Sequence, residues 1–215
     1  VSILSARNVF EAIDKDKYDI SFIGIDKSGY WRFFADTKIL SEKSIKPIAK
    51  NHNGFLDPDS GKILVNSDVI FPVLHGGAGE DGTVQGFLKL VNKPFVGAGV
   101  LGSALGMDKE VQKRLLKEAG IKTAKFLAFR DFEKDKINFK KVQKELGDIV
   151  FIKPANSGSS IGVHKIKTEN EFKKAIKDAF QYDTKILIEE AIIGREIECS
   201  VLGNDKPIAS VPGEI

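Results

Sequence analysis

The chain has 215 residues, of which 42% are hydrophobic and 29% are charged, and its formal net charge is +3. These values are typical of a soluble protein with one or two domains. The lysines are spread along the chain beside acidic residues, so the sequence predicts no nucleic-acid surface. No apolar run is long enough to cross a bilayer and no signal peptide is visible, so no membrane partner is expected.

The chain has one cysteine, Cys199. A single cysteine excludes an internal disulfide and indicates a reducing compartment, so we expect a cytoplasmic protein. The residues around Cys199 follow an apolar strand pattern, which predicts a buried, unreactive thiol.

The first half of the chain alternates strand and helix patterns. The opening residues form a helix pattern to about Ile13, with Ser2 or Ser5 as N-cap. The run 68–74 is apolar and bounded by polar residues, as in a parallel strand covered on both faces. Strand patterns lie at 18–25, 29–33, 68–74 and 94–97, a helix pattern at 83–91, and an irregular stretch rich in turn signals at 36–59. This alternation predicts a doubly wound α/β domain.

The second half changes to an α+β pattern. Asp108 is a good N-cap for a helix that ends at Gly120, and a domain boundary is predicted near Gly106. Strands are predicted at 126–129, 149–154, 163–166, 185–189, 196–202 and 207–211, and helices at 138–146 and 169–180. Phe172, Ile176 and Phe180 share one face of the last helix. Both ends of the chain fall inside a pattern, so the termini look cut.

A lysine followed by a Ser/Gly loop is the most informative motif. Lys153 ends an apolar strand, and Pro154 and the loop Ser157–Gly158–Ser159–Ser160 follow it. Backbone N–H groups and hydroxyls of such a loop can surround phosphate oxygens, and the lysine adds a cation. The lysine precedes the glycines, unlike in a Walker A loop, which indicates a phosphate lid between two strands. On this segment alone, a plain hairpin with a surface lysine is the favoured alternative.

A histidine and a glycine-rich loop lie between a predicted buried strand and a helix, at 75–83. In an open α/β sheet, ligands bind beyond the carboxyl ends of the strands, and the N-terminus of the next helix favours an anion. His75 could therefore bind a carboxylate or steady an oxyanion. The alternative is that Asp81 or Thr83 is a plain helix cap and His75 a satisfied core histidine.

An acidic strand end provides a third candidate. The run Ile186–Ile192 leads into an extended segment whose backbone can pair with adenine, while Glu189 accepts from its amino group and Glu196 binds ribose. An edge strand with solvated acids is the alternative. Lys109 is a fourth candidate, because two lysines, Lys109 and Lys153, would neutralise a triphosphate. His52 and His164 are interpreted as surface or turn residues, and no Cys/His metal cluster is present.

Taken in order, these residues resemble the D-alanine–D-alanine ligases of the ATP-grasp superfamily. The resemblance covers essentially the whole chain. The matching segments are 1–6, 74–76, 79–82, 85–86, 94–97, 107–109, 152–154, 157–162, 188–190 and 212–215. The resemblance implies an N-terminal doubly wound parallel-sheet (pre-ATP-grasp) domain at 1–106, a central ATP-grasp nucleotide-binding domain at 107–195, and the start of a C-terminal ATP-grasp domain at 196–215, truncated.

The resemblance also implies the roles of the site residues. ATP phosphorylates the carboxylate of one D-alanine, and the amine of a second D-alanine attacks the acyl phosphate, which serves peptidoglycan synthesis. His75 and Ser159 are the catalytic candidates, with His75 near the first carboxyl group and Ser159 also helping to fix an active-site loop. The nucleotide-binding candidates are Lys109, Lys153, Ser159 and Ser160 for phosphates, Glu189, Phe151 and the backbone of Ile192 for adenine, Glu196 for ribose, and Glu190 for the nucleotide without a specified part.

The family pattern extends beyond this sequence. The glutamate that binds the substrate ammonium precedes the position of Val1, and the flexible loop, the oxyanion arginine and the ligands of Mg²⁺ follow the position of Ile215. The resemblance therefore implies ATP and Mg²⁺ as cofactors, with no metal ligand in this chain, and a homodimer. Three hypotheses stay open: a D-alanine–D-alanine ligase, a relative that uses D-lactate or D-serine as second substrate, and a nucleotide-binding module without ligase activity.

Overall fold

The computed structural model contains two compact units. The described residues are 1–29, 31–34, 37–41 and 67–215. The first unit comprises Val1–Leu115 and Ala155–Ile161, and the second comprises Leu116–Pro154 and Gly162–Ile215. The predicted irregular stretch 36–59, including the predicted surface residue His52, lies almost entirely outside the described residues.

The first unit contains helices around short strands. Its helices are α1 (Ser2–Ala12), α2 (Thr83–Leu90), α3 (Val100–Met107) and the start of α4 (Lys109–Glu118). Its strands are β1 (Phe22–Ile25) and β2 (Trp31–Phe34), which pair antiparallel, and 3₁₀ turns lie at Thr37–Ser41 and Gly77–Gly79. Leu88 is fully buried between these elements, and Trp31 packs edge-on against Phe87 with 5.3 Å between ring centroids. Helix α3 was not predicted from the sequence.

The predicted buried strand at 68–74 is wrong in its extent and in its burial. Its parallel direction is present, because Ile70 pairs with Phe95 in a parallel bridge, but no longer ladder forms within the described residues. Val69 and Phe71 are each about half exposed. Within the described residues the run pairs only near Phe95, and no described layer covers the faces on which Val69 and Phe71 lie. The strand predicted at 94–97 is reduced to the same bridge.

Helix caps were predicted with mixed success. Neither Ser2 nor Ser5 caps α1, because Val1 occupies the N-cap position and no side chain there accepts a hydrogen bond. Asp108 does cap α4, since its Oδ1 accepts from the N–H groups of Glu110 and Val111, both at 3.1 Å. Gly120 follows α4 with a φ of +74°, as the prediction of a C-terminal glycine requires.

The second unit is built on a four-stranded antiparallel sheet with the order β3-β6-β4-β5. Its strands are β3 (Phe126–Arg130), β4 (Val150–Pro154), β5 (His164–Ile166) and β6 (Lys185–Glu190), and its helices are α5 (Phe139–Leu146) and α6 (Glu169–Ala179). Alternate residues of β4 and β6 join residues of the helices in one buried cluster, Val142, Leu146, Val150, Ile152, Ile166, Phe172, Ala175, Ala179, Ile186 and Ile188. The helices therefore cover one face of the sheet, and the intervening residues of the strands point to the other face.

Local sequence signals explain the ends of both helices. The side chain of Asn138 accepts from the N–H of Lys141 at the start of α5. Thr168 and Glu171 form a capping box at the start of α6. The backbone N–H groups of Lys167 and Thr168 lower the pKa of Glu171 below its ordinary value. As predicted, Phe172 is buried, and Ile176 and Phe180 pack against the same cluster.

The last twenty residues form short, exposed ladders, in which β7 (Ile197–Glu198) pairs with β10 (Gly213–Glu214) and β8 (Val201–Leu202) pairs with β9 (Ile208–Ala209). The prediction that Cys199 is buried is wrong, because its side chain is exposed and its Sγ lies 3.3 Å from the carbonyl oxygen of Ser210. An apolar strand pattern predicts burial only where a second layer covers the strand, and no described element covers this one.

Candidate functional site

Lys153 and Glu189 form an ion pair on neighbouring strands of the second unit. Their Nζ and Oε2 atoms are 2.5 Å apart, and the side chains are 22% and 7% exposed. Both point to the sheet face opposite the helices, because Val150, Ile152 and Ile188 next to them point into the core. The pair thus combines a carboxylate removed from water with a cation that solvent or a ligand can still reach.

The alternative that Glu189 lies on an edge strand is wrong. β6 is an inner strand, paired with β3 on one side and with β4 on the other. Phe151 is directly opposite Glu189 in the register, and the Nζ of Lys165 lies 5.9 Å from the centroid of the Phe151 ring. The Phe151 ring, which was expected to pack on adenine, is half-buried and has the Lys165 ammonium near its face.

Beyond Glu190 the backbone leaves the sheet. The Oε1 of Glu190 accepts from the N–H of Lys125 at 2.7 Å, and its own N–H donates to the carbonyl of Lys125 at 3.1 Å. The N–H of Ala191 donates to the carbonyl oxygen of Ile149 at 3.2 Å, and the next residue, Ile192, is 67% exposed. Glu196 is exposed further along. The second unit therefore presents Glu189 in the sheet and an accessible backbone directly after it.

In the first unit, Lys109 is bound to the Ser/Gly loop. Its backbone N–H donates to the carbonyl of Ala155 at 3.1 Å. Its Nζ donates to the carbonyls of Ala155 at 3.3 Å and Ser157 at 2.5 Å. The ammonium of Lys109 therefore contacts carbonyl oxygens of the loop, a contact that the sequence did not predict.

The two candidate serines of the loop adopt an unusual backbone conformation. Ser159 and Ser160 have φ values of +50° and +58°, in the left-handed region that residues with a Cβ rarely occupy. Both are exposed. Consecutive residues of this kind are costly, and such strain is concentrated at binding sites. The loop lies in the chain between β4 and β5, which pair antiparallel.

His75 lies in a hydrogen-bond network that was not predicted from the sequence. Its Nε2 is 2.9 Å from the Oγ of Ser5, and its backbone N–H donates to the Oγ of Ser2 at 3.2 Å. The next N–H, of Gly76, donates to the Oε2 of Glu80 at 2.5 Å. His75 is exposed, so the alternative of a satisfied core histidine is wrong. The i, i+3 spacing of the two serines on a helix was the available signal, but they were interpreted as caps.

The same unit contains a cavity of about 540 Å³ next to this network. Ser2, His75 and Gly76 line its polar part, and Trp31 and Phe87 line its apolar part. The Oδ1 of Asp81 accepts from the N–H of Thr83 at 2.9 Å, but Gly82 holds the N-cap position of α2 without a side-chain cap, so the alternative of Asp81 or Thr83 as helix cap is wrong. A small polar ligand at His75 would therefore lie at the wall of a cavity that is otherwise largely apolar.

Comparison with known proteins identifies the family. Residues 1–98 match the model for the N-terminus of D-Ala–D-Ala ligase, and residues 115–215 match the model for its C-terminus. The chain is 52% identical over 229 aligned residues to the D-alanine–D-alanine ligase of Oceanobacillus iheyensis and 43% identical to D-alanine–D-alanine ligase A of Escherichia coli K12, covering 100% of this chain and 63% of each relative. The chain belongs to the D-alanine–D-alanine ligase family.

Solved structures of this family share the fold. The D-alanine–D-alanine ligase of Coxiella burnetii superimposes with a TM-score of 0.86 at 37% identity, covering 100% of this chain and 66% of that one. The D-Ala:D-Ser ligase VanG of Enterococcus faecalis gives 0.81 at 37% identity, covering 99% and 64%. The predicted family and its mixed α/β fold class are therefore confirmed. The chain spans about 63% of the length of these curated relatives.

Two further findings concern the described residues as a whole. No helix among them has the length and apolar character needed to cross a membrane. In the same part of the chain, no three or more His, Cys, Asp or Glu side chains come together as a metal site.

Proposed function

We propose that this sequence belongs to an ATP-dependent enzyme of the bacterial cytoplasm that joins two D-alanines for peptidoglycan precursor synthesis. The observation that carries the proposal is the match of both halves, residues 1–98 and 115–215, to models of one ligase family. The activity is proposed for a polypeptide of the relatives' full length that contains this sequence. The domain limits 1–106, 107–195 and 196–215 and the homodimer stay part of the proposal.

The reaction has two steps. A carboxylate oxygen of the first D-alanine takes the terminal phosphoryl group of ATP, the bond to the bridging oxygen breaks, and ADP leaves. The amine nitrogen of the second D-alanine attacks the acyl carbon, the tetrahedral intermediate expels phosphate, and the amine gives up a proton. Positioning and neutralisation of charge are the main demands of phosphoryl transfer, so the protein needs cations and N–H donors more than a nucleophile.

In the second unit, we assign Lys153 to a phosphate and Glu189 to the amino group of adenine. A partly exposed ammonium beside a buried carboxylate supplies one donor and one acceptor within a single rigid sheet. The exposed backbone of Ile192, directly after β6, is assigned to the ring edge of adenine. Glu190 fixes that segment by its contacts with Lys125. The remaining assignments in this unit are Phe151 to the adenine face and Glu196 to ribose.

In the first unit, we assign Lys109, Ser159 and Ser160 to the phosphates and His75 to the carboxyl group of the first D-alanine. The strained backbone of the two serines supports a loop that is held ready to bind. The contact of Lys109 with two loop carbonyls supports a role for this lysine in shaping the loop. Ser159 is also assigned to fixing the active-site loop of the whole enzyme.

No step through Mg²⁺ is assigned to this chain, because its described residues offer no cluster of metal ligands. Consistent with this, we expect the 215-residue chain alone to release no dipeptide even at high Mg²⁺ concentration. Dipeptide synthesis by the chain alone would contradict that assignment. Binding of ATP without any synthesis by a full-length polypeptide would favour the alternative of a nucleotide-binding module.

The direct test is release of ADP by the full-length polypeptide across D- and L-amino acids. D-alanine should stimulate release, and absence of D-alanine stimulation would overturn the proposal. Lys153→Ala should raise the KM for ATP about tenfold or more, because charge-assisted contacts to phosphate are strong. Lys173→Ala is the matched control, since Lys173 is exposed and paired with Glu169 on α6.

The second substrate is a separate question. The similarity to a D-Ala:D-Ser ligase, at 37% identity, makes D-serine a specific second candidate. Comparison of D-alanine, D-lactate and D-serine as acceptors, with D-alanine as the common donor, decides between them. We expect D-alanine to give the highest kcat/KM, because the relatives with 52% and 43% identity are named for it.

A further inference from the structure

Two serines of α1 contact one residue far along the chain. Ser2 and Ser5 are three residues apart, so they lie on the same face of the helix. The Oγ of Ser5 meets the ring of His75 at 2.9 Å, and the Oγ of Ser2 accepts the backbone N–H of His75 at 3.2 Å. Neither serine caps its own helix. Ser2 therefore fixes the backbone of His75, and Ser5 fixes its ring.

The loop side of His75 is fixed as well. Gly76 has a φ of +76°, and its N–H donates to the Oε2 of Glu80. The turn then continues through the 3₁₀ turn Gly77–Gly79. Three side chains, those of Ser2, Ser5 and Glu80, thus define the position of a single histidine.

The contact with Ser5 couples the hydroxyl to the tautomer of the ring, because a serine hydroxyl either donates to Nε2 or accepts from Nε2–H. A neutral imidazole carries its proton on one nitrogen and accepts at the other, and a hydrogen bond at one nitrogen selects the tautomer. When the hydroxyl of Ser5 donates to Nε2 of His75, the proton resides on Nδ1. Nδ1–H is then the donor that remains for a carboxylate.

We propose that Ser5 is a positioning residue that holds His75 with Nε2 as acceptor and Nδ1–H directed to a ligand carboxylate. The identity of that carboxylate, the first D-alanine, rests on the proposed function. The orientation and tautomer of the ring do not rest on it. Ser2 and Glu80 assist by fixing the backbone on either side of the histidine ring.

The first experiment measures the ring without any ligand. The full-length polypeptide is labelled with ¹⁵N-histidine, and the His75 signals are assigned by their loss in His75→Asn. At a pH about two units above the ordinary histidine pKa, the long-range ¹H–¹⁵N pattern should show the Nδ1–H tautomer. Ser5→Ala should shift the population toward Nε2–H, and Ser5→Thr, which keeps the hydroxyl, should restore the wild-type pattern. An Nε2–H ring in the wild type would overturn the proposal.

The second experiment measures catalysis. Ser5→Ala should lower kcat/KM for the first D-alanine about tenfold while the KM for ATP stays unchanged, because one hydrogen bond of modest strength is lost. Asn8→Ala is the control, since Asn8 is an exposed residue one turn further along α1. Equal effects of Ser5→Ala and Asn8→Ala would refute the positioning role, and so would an equal rise of both KM values in Ser5→Ala.

The two experiments separate the possible failures. If the ring shows the Nδ1–H tautomer but no D-alanine-dependent ADP release occurs, the proposed function fails and the assignment of Ser5 stands. If the enzyme is active but the tautomer does not depend on Ser5, the assignment fails and the proposed function stands. A melting temperature of Ser5→Ala within a few degrees of the wild type shows that the two readouts report on a folded protein.

Discussion

The ion pair between Lys153 and Glu189 should respond unequally to the loss of either partner. The two side chains are 2.5 Å apart, but Lys153 is 22% exposed and Glu189 only 7%. Replacement of Lys153 by methionine leaves a carboxylate that water cannot reach readily. Replacement of Glu189 by methionine leaves an ammonium that can turn toward solvent. We therefore expect Lys153→Met to be the more harmful change.

The magnitudes follow from the environment of each charge. Removal of one partner of a buried pair costs about 3–5 kcal/mol, which is the value expected for Lys153→Met. For Glu189→Met, the free energy of unfolding should fall by about 1.5–3 kcal/mol, which is the value for loss of one charged hydrogen bond. The double variant replaces both charges by side chains of similar volume, so it should lie within about 1 kcal/mol of the wild type. The coupling free energy between the two positions should accordingly reach about 3 kcal/mol or more.

Urea unfolding of the wild type, both single variants and the double variant supplies the four free energies of unfolding. Circular dichroism follows the transition, and hydrogen exchange of amides in β4 and β6 assigns any change to the second unit. The surface pair of Lys173 with Glu169, at 2.9 Å and with side chains 74% and 52% exposed, is the matched control. Lys173→Met should cost about 0.5 kcal/mol or less.

Two results would refute the unequal contributions of Lys153 and Glu189. Additive single-variant effects would show that the charges of Lys153 and Glu189 do not interact in the folded protein. A larger cost for Glu189→Met than for Lys153→Met would show that burial of the carboxylate is not what makes the pair unequal.

Three further predictions concern other parts of the fold. Gly162→Ala should lower the melting temperature more than Gly147→Ala does. Both glycines have positive φ (+69° and +97°), but only a Cβ at position 162 would meet neighbouring ring carbons, at 2.7 and 2.9 Å. Equal decreases in melting temperature would rule out the steric contact. Phe172→Ala should cost about 3–5 kcal/mol in urea unfolding, because that ring is 2% exposed in the core, and a loss below about 1 kcal/mol would contradict the packing. Lys109→Met should speed amide hydrogen exchange at 155–161, whereas Lys117→Met, at an exposed position of the same helix, should not; unchanged exchange in Lys109→Met would refute the role of its contacts with the loop carbonyls.

The sequence predicted the second unit far better than the first. Apolar residues recur in its strands with a period of two and in its helices with a period of about 3.6 residues. Capping residues such as Thr168 mark where the helices begin. The burial of a strand, by contrast, depends on what packs against it. The apolar runs at 68–74 and around Cys199 predict core positions, yet Phe71 is half exposed and Cys199 is exposed, because the described elements cover neither.

The candidate site shows the same division between local and distant information. Lys153, Glu189 and the Ser/Gly loop are recognisable from short motifs, and the structure adds that β6 is an inner strand. The i, i+3 spacing of Ser2 and Ser5 predicts that they share one face of α1, but it does not identify their partner, and a serine at the start of a helix is also the usual N-cap. Only a contact across seventy positions of the chain shows that they hold His75 instead.

The two lysines assigned to phosphate binding have one property that the sequence could not reveal, which is that each already has a strong partner within its own unit. Lys109 donates to the carbonyls of Ala155 and Ser157, and Lys153 is paired with Glu189. A phosphate that binds either ammonium must replace or share that contact, so the gain is a difference between two charge-assisted interactions. Each lysine should therefore contribute to nucleotide affinity nearer the lower end of the range of about 1.5–3 kcal/mol for such contacts. Replacement of Lys109 should therefore affect the loop of the nucleotide-free protein, and replacement of Lys153 its sheet, more than either change affects nucleotide affinity.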